Sequence, residues 1–511
     1  MKTTTGLGLS ANEAFVGLVD YGLFSDVVPP SFVSEGISAY VPANLQSIST
    51  ETDDRKLQRL LDRASHNFIR YDALRHANIP RQMGIPHPES YIAQCLVIER
   101  YWNIIKRHCA KPQIAVSRVF VQETSDKRVF VMNYKQRRFE DEETDIRNMI
   151  GARFVVHTDI SACFSSIYTH SIPWAIHGRR IAKTNRSLSL AGNLVDKATQ
   201  GIRDGQTNGL VTGPHSSNII SEIVLTRVDD SMVKKGFKRF SRAIDDYTFY
   251  ANTFEEAENF VRTLGLFLRE YDISLNAQKT EIIPMPMPIE KGWVQKLRDF
   301  EFPDQGEIGV GKVNAVLDLA QLLSNDADSF AMLNYAIKRI PARLSDRAKR
   351  IFTQRAISLA LIYPYLARLL GEHVFDKHSY SGIELDIQNF VELLLDMGIK
   401  KLYPDAIAHA LYYSLKYGTK IRKTEDQLRE IIRLDDCLSD VLLMEYSRRN
   451  GLQRVQSALR RRADRLKNME RREQDRFWLL IYEMWNEATL RGNGQTFLVD
   501  LKQHRFRFID V

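Results

Sequence analysis

The chain has 511 residues, 44% hydrophobic and 26% charged, with 71 Lys and Arg against 63 Asp and Glu for a formal net charge of +8. That length exceeds the roughly 250–300 residues at which a single core stops growing, so two domains are expected. No uninterrupted apolar run approaches the roughly 18 residues of a membrane span. The N-terminus lacks the apolar core of a secretory signal, and Cys95, Cys109, Cys163 and Cys437 have neither disulfide nor metal-finger spacing, which predicts a cytoplasmic location.

In chain order, the Val27 to Phe32 stretch with Pro29 and Pro30 breaks regular structure, and residues 1–79 are expected to form an extension wrapped on the first domain. Residues 80–288 mix short strand patterns (118–123, 128–134, 154–158 and 243–250) with helical ones (216–233 and 254–270), an α+β texture. Pro284, Pro286 and Pro288 end it, because proline continues neither a helix nor a central strand. Residues 289–511 read almost wholly as amphipathic helices, at 315–323, 330–340, 349–370, 387–396, 405–417, 439–447 and 477–485. Such helices stack either as a HEAT-like array or as an irregular bundle. Arginines crowd 448–472, Arg460, Arg461, Arg462 and Arg465 among them, forming either a track for a polyanion or a solvated helix face.

The chemistry concentrates in carboxylates. An apolar strand, residues 153–158, delivers Asp159 at its carboxyl end, and Asp245 and Asp246 sit side by side between aromatic and β-branched residues in the pattern of a hairpin. One acid on a strand and a pair on a neighbouring hairpin are what two Mg²⁺ ions need for nucleotidyl transfer, with Mn²⁺ as a substitute, because hard ions roughly 3.5–4 Å apart take bridging oxygen ligands.

Four motifs stand in one order: Asp159-Ile-Ser-Ala-Cys-Phe164, Gly209-Leu-Val-Thr-Gly-Pro-His-Ser-Ser217, Ala243-Ile-Asp-Asp246, and Leu264-Gly-Leu followed by Leu275-Asn-Ala-Gln-Lys-Thr280. They resemble motifs A to D of reverse transcriptases, which implies reverse-transcriptase-like fingers and palm followed here by an all-α domain. On that resemblance Asp159 and Asp245 hold both metals, the Ile160 carbonyl completes one site, and Asp246 assists. Phe164 abuts the sugar and excludes a 2′-hydroxyl, and Thr212 and Gly213 lie against the nucleotide. Lys279 is the candidate general acid near pyrophosphate, and Lys135, Arg137 and Arg138 are the candidate triphosphate cations of the fingers.

Motif B reads Thr212-Gly213 where templated enzymes have Gln-Gly, and motif C has Ala243 where they have Tyr. With residues 166–178 and 81–91, these departures are similar to the abortive-infection (Abi) polymerases of bacterial phage defence. That likeness implies DNA synthesis from dNTPs without a template, primed by a tyrosine of the protein, with single-stranded DNA left covalently attached. It also implies a closed homo-oligomer, a trimer or a hexamer. Tyr40 and Tyr21 are the priming candidates. An RNA-templated reverse transcriptase of a retron-like defence system and a non-catalytic nucleic-acid-binding scaffold are the alternatives.

Overall fold

The computed structural model describes residues 9–75, 80–110, 119–121, 130–132, 145–288, 292–326 and 331–511. Four antiparallel strands form the central sheet in the order β6 (Phe240–Ala243), β7 (Asp246–Ala251), β5 (Phe154–Asp159), β8 (Glu281–Pro284). Two-residue alternation turns Val156, Tyr247 and Phe249 inward. The helices Phe254–Arg269 and His215–Lys234 pack on this sheet, with Phe249 and Phe260 stacked at 4.2 Å. Thr253 fixes the start of the first helix by accepting the Glu256 amide hydrogen at 3.2 Å. Beneath the β6–β7 hairpin, fully buried Arg242 donates to Glu222 and Asp229, and Tyr247 donates to Asp229 at 2.8 Å, so an ionic core fixes the hairpin from below.

A second hairpin, β1 (Phe68–Leu74) with β2 (Pro80–Pro86), was not foreseen, and the expected boundary at 79/80 runs between its strands. Its alternating pattern is short, and Pro80 and Pro86 mask the second strand as a loop. A third, short hairpin joins β3 (Val119–Val121) to β4 (Phe130–Met132), within the two strand patterns read from sequence.

The helical half docks on the β1–β2 hairpin. Asp405, at the start of helix Pro404–Tyr417, accepts from the Leu74 amide at 2.8 Å and from the Tyr71 hydroxyl, and the Trp478 indole donates to the Ile85 carbonyl at 3.3 Å. Next to Trp478, whose ring meets Phe508 at 4.9 Å, the N-terminal segment pairs with the C-terminal tail, Val33 N to Phe508 O at 2.9 Å and Asp510 N to Ser31 O at 2.8 Å. The N-terminal segment thus reaches both halves of the molecule. Beyond residue 292 the described regular elements are all helical, as expected from their periodicity. One expected helix differs: 349–370 is broken after Asp346–Ile362, because Pro364 lacks an amide hydrogen and clashes with the preceding turn. Among the described residues, no helix is long and apolar enough to cross a membrane.

Candidate active site

Strand pairing brings the acids together. Asp159 ends β5 opposite Asp246 at the start of β7, and the turn between β6 and β7 carries Asp245. Ile244 adopts φ +56°, a left-handed conformation that costs a β-branched residue energy and is held here by the hairpin's buried arginine core. The Ile160 amide donates to the Asp245 carbonyl at 3.1 Å, locking the end of β5 to the turn. One ligand oxygen from each of Asp159, Asp245 and Asp246 lies within 4.8 Å of the others. Three convergent carboxylates, one buried, one half-buried and one exposed, form a hard oxygen donor set that fits Mg²⁺ or Mn²⁺. The charges are under-compensated. Burial, then the Asp159 carboxylate, push the Asp245 carboxyl above its ordinary value.

Lys279 reaches the same place. Motif D folds beside motif A, with the Asn276 amide donating to the Asp159 carbonyl at 2.7 Å and Ser161 N to Ser274 O at 2.9 Å. Lys279 Nζ donates to Asp159 Oδ2 at 2.5 Å, and that hydrogen bond raises the ammonium pKa. The lysine is protonated at neutral pH and within reach of any group the aspartates hold.

Motif B closes another side. Gly213 has φ +131°, and a Cβ there would stand 3.0 Å from the Gly84 carbonyl oxygen and 3.6 Å from Met83 Cε and Ser25 Cβ. Glycine is required both for the backbone angle and for this approach. The Thr212 carbonyl accepts from the Gly84 amide at 2.8 Å, and the His215 amide donates to the Gly22 carbonyl at 2.9 Å. The motif B loop is therefore covered by the β1–β2 hairpin and by residues 22–25. Phe164, in the short helix Cys163–Ser166, is half-buried and packs against the core, and its carbonyl accepts from the Leu210 amide at 2.6 Å.

Sequence reasoning missed Arg81. It lies on β2 close enough to Asp245 for the two charges to act on each other. Its signal, an arginine opening the 81–91 segment, became meaningful only once the hairpin folded over motif B. Lys135, Arg137 and Arg138 lie outside the described residues. Tyr21 donates to Glu35 at 3.2 Å, immediately before Gly22 of the motif B contact, whereas Tyr40 lies against His504 and Phe506 with ring centroids 4.9 and 6.1 Å away.

One expected nucleic-acid contact is corrected. Arg462 turns inward, paired with Asp440 at 2.5 Å and Asp435 at 2.8 Å over the Phe477 ring, so its charge is spent inside the protein. Arg460, Arg461 and Arg465 stay exposed, and the cleft of about 900 Å³ that Arg461 and Arg465 line holds acids as well, Asp464 and the pairs Asp426–Arg429 and Glu430–Arg433. A second group with metal-ligand chemistry, His66, His87 and Glu89, is buried. Both ring nitrogens of His66 are already engaged, Nε2 with Glu89 at 2.9 Å and Nδ1 with Asp475 at 3.1 Å, and Arg471 lies against the ring, so the cluster is an ionic network.

The reverse transcriptase (RNA-dependent DNA polymerase) family model matches residues 48–289. No curated protein matches the chain. Among solved structures, apo telomerase from Candida tropicalis truncated from its C-terminal domain aligns at 10% identity and TM-score 0.32, over 44% of this chain and 51% of its own length. Apo telomerase from Candida tropicalis aligns over 72% of this chain and 69% of its own, at 10% identity and the same TM-score. Telomerase from Candida albicans with the TWJ fragment of telomeric RNA aligns over 70% and 65%, at 10% identity and TM-score 0.30. Superpositions this loose fix neither shape nor function. The family match covers the β1–β2 hairpin, all four motifs and the three converging aspartates, and on that basis residues 48–289 are a reverse-transcriptase-type polymerase domain.

Proposed function

We propose that the chain is a DNA polymerase of the abortive-infection type, joining dNTPs without a template onto a tyrosine of its own. The convergence of Asp159, Asp245 and Asp246 within 4.8 Å carries the polymerase reading. When bound there, a pair of divalent ions would activate the attacking hydroxyl and neutralise the leaving pyrophosphate. Asp159 and Asp245 are the principal ligands in this reading, with the Ile160 carbonyl and Asp246 in support. Lys279 would donate a proton to the departing pyrophosphate, Arg81 would join the triphosphate cations, and Phe164 would lie under the deoxyribose.

The cover over Gly213 supports the template-free part. The space beside the motif B glycine is taken by Met83, Gly84 and Ser25 of the same chain. Of the two priming candidates, Tyr21 is favoured because it adjoins the Gly22 contact with motif B. Antiviral defence, attachment of product to protein and closed assembly belong to the same proposal and rest on the Abi-like sequence features.

The test is incubation of the purified chain with Mg²⁺ and dNTPs and no added nucleic acid. Product that stays protein-linked through denaturation, disappears in Asp245→Asn and moves to no other peptide than that of Tyr21 supports the proposal. Synthesis only with added RNA overturns the template-free part, and phage protection unchanged by Asp245→Asn overturns the enzymatic role.

A further inference from the structure

Between Asp159 and Asp196 the sequence has no acidic residue, yet it carries Arg179, Arg180, Lys183 and Arg186. All four side chains belong to exposed residues, on and just after the helix Arg179–Thr184, and among the described residues none of them forms an ion pair. The arginines of helix Gln453–Leu466 differ in that Arg462 is consumed internally and acids, Asp426, Glu430 and Asp464, share the cleft that Arg461 and Arg465 line. Four uncompensated cations within eight residues repel one another, and a polyanion is the partner that relieves that repulsion.

Aromatic surface accompanies the charge. The Arg179 guanidinium stacks over the half-buried Trp174 ring at 4.9 Å, and Tyr168 meets Trp174 edge-on with centroids 6.0 Å apart. Basic side chains beside aromatic faces are the composition that holds single strands, whose bases are free to stack. The platform is also close to the chemistry. The helix before it, Ser171–His177, packs on His215–Lys234, the helix that motif B opens, and Gly209 N bonds Ile167 O at 2.9 Å just before Tyr168.

We infer that Arg179, Arg180, Lys183 and Arg186, with Trp174 and Tyr168, form a sequence-independent binding platform for single-stranded DNA beside the active site. Single-stranded DNA, rather than another polyanion, rests on the polymerase reading above. The platform would take the strand as it leaves the aspartates, neutralising backbone phosphates.

The experiment measures binding without synthesis, in the Asp245→Asn background of the full chain, by fluorescence anisotropy of a labelled oligothymidylate across a salt series. Each lost phosphate contact removes about 0.7 from the slope of log affinity against log salt, so Arg179→Gln/Arg180→Gln/Lys183→Gln/Arg186→Gln should lower it by about 3 and weaken binding more than tenfold at low salt. Arg180→Gln/Lys183→Gln, which leaves the Arg179–Trp174 contact intact, should lose about half of that slope and guards against misfolding of the fourfold variant. Arg460→Gln/Arg461→Gln/Arg465→Gln should change little. A wild-type slope in the folded fourfold or twofold variant, or a larger loss in the Arg460 set, overturns the platform. Failure of the polymerase reading would instead show as absent synthesis in wild type with this binding intact.

Discussion

Asp159, Asp245 and Asp246 crowd three carboxylates at one end of the palm sheet with Lys279 as the cation bonded to Asp159, while in the helical half Arg462 is answered by Asp435 and Asp440 together. Within the palm itself the same contrast recurs over a few residues, since Arg242 is matched by Glu222 and Asp229 directly beneath the aspartate cluster. Buried charge that serves the fold is neutralised on site. Charge that serves a ligand is left in deficit, and the fold supplies the rigidity that keeps it there.

The contrast can be broken most severely at the aspartates. Asp159→Asn or Asp245→Asn should abolish nucleotide incorporation while leaving the melting temperature unchanged or higher, because each removes repulsion between carboxylates. Arg242→Met should do the reverse, costing about 3–5 kcal/mol in denaturant unfolding by stranding two buried carboxylates. Phe164→Ala should leave the fold intact and raise incorporation of ribonucleotides relative to deoxyribonucleotides by about tenfold or more, close to 1.4 kcal/mol of discrimination, read in competition assays.

A pH series sharpens the comparison where the halves meet. His66 is fully buried between Glu89 at 2.9 Å and Asp475 at 3.1 Å, stacked on His87 at 3.7 Å, with Arg471 also against its ring. Burial opposes its charge, but the hydrogen bonds to Asp475 and Glu89 outweigh it and raise the imidazolium pKa, whereas burial holds His87 neutral. A raised folded-state pKa stabilises fully below about pH 6.5 and is lost as pH rises through the folded value. Unfolding free energy should therefore fall by about 1–3 kcal/mol over that rise, and His66→Gln should flatten the profile. The smallest effect is expected at Arg460 and Arg465, where Gln should change stability by less than about 0.5 kcal/mol in the same assay.

Legibility followed sequence distance. The motif A strand, the Asp-Asp turn and helices such as His215–Lys234 and Pro404–Tyr417 are written in local periodicity, which a few neighbouring residues establish. The β1–β2 hairpin was missed because its partners are recognised only across Pro80, and Arg462 was misjudged because Asp435 and Asp440 lie a helix away. The arginine of a basic run carries no local mark that distinguishes a solvent-facing side chain from one buried against an acid.

By itself the amino-acid order determined which oxygen ligands are present, their succession along the chain, and the change from mixed to helical structure, since these depend on residue chemistry and short-range spacing. Tertiary structure alone decided that residues 22–25 and Gly84 cover Gly213, that Asp405 fastens the helical half to the β1–β2 hairpin and Asp475 to the residues just before it, and which of the described cations are paired with an acid. Those outcomes depend on contacts between segments tens to hundreds of residues apart, where burial and charge pairing are settled by the fold as a whole.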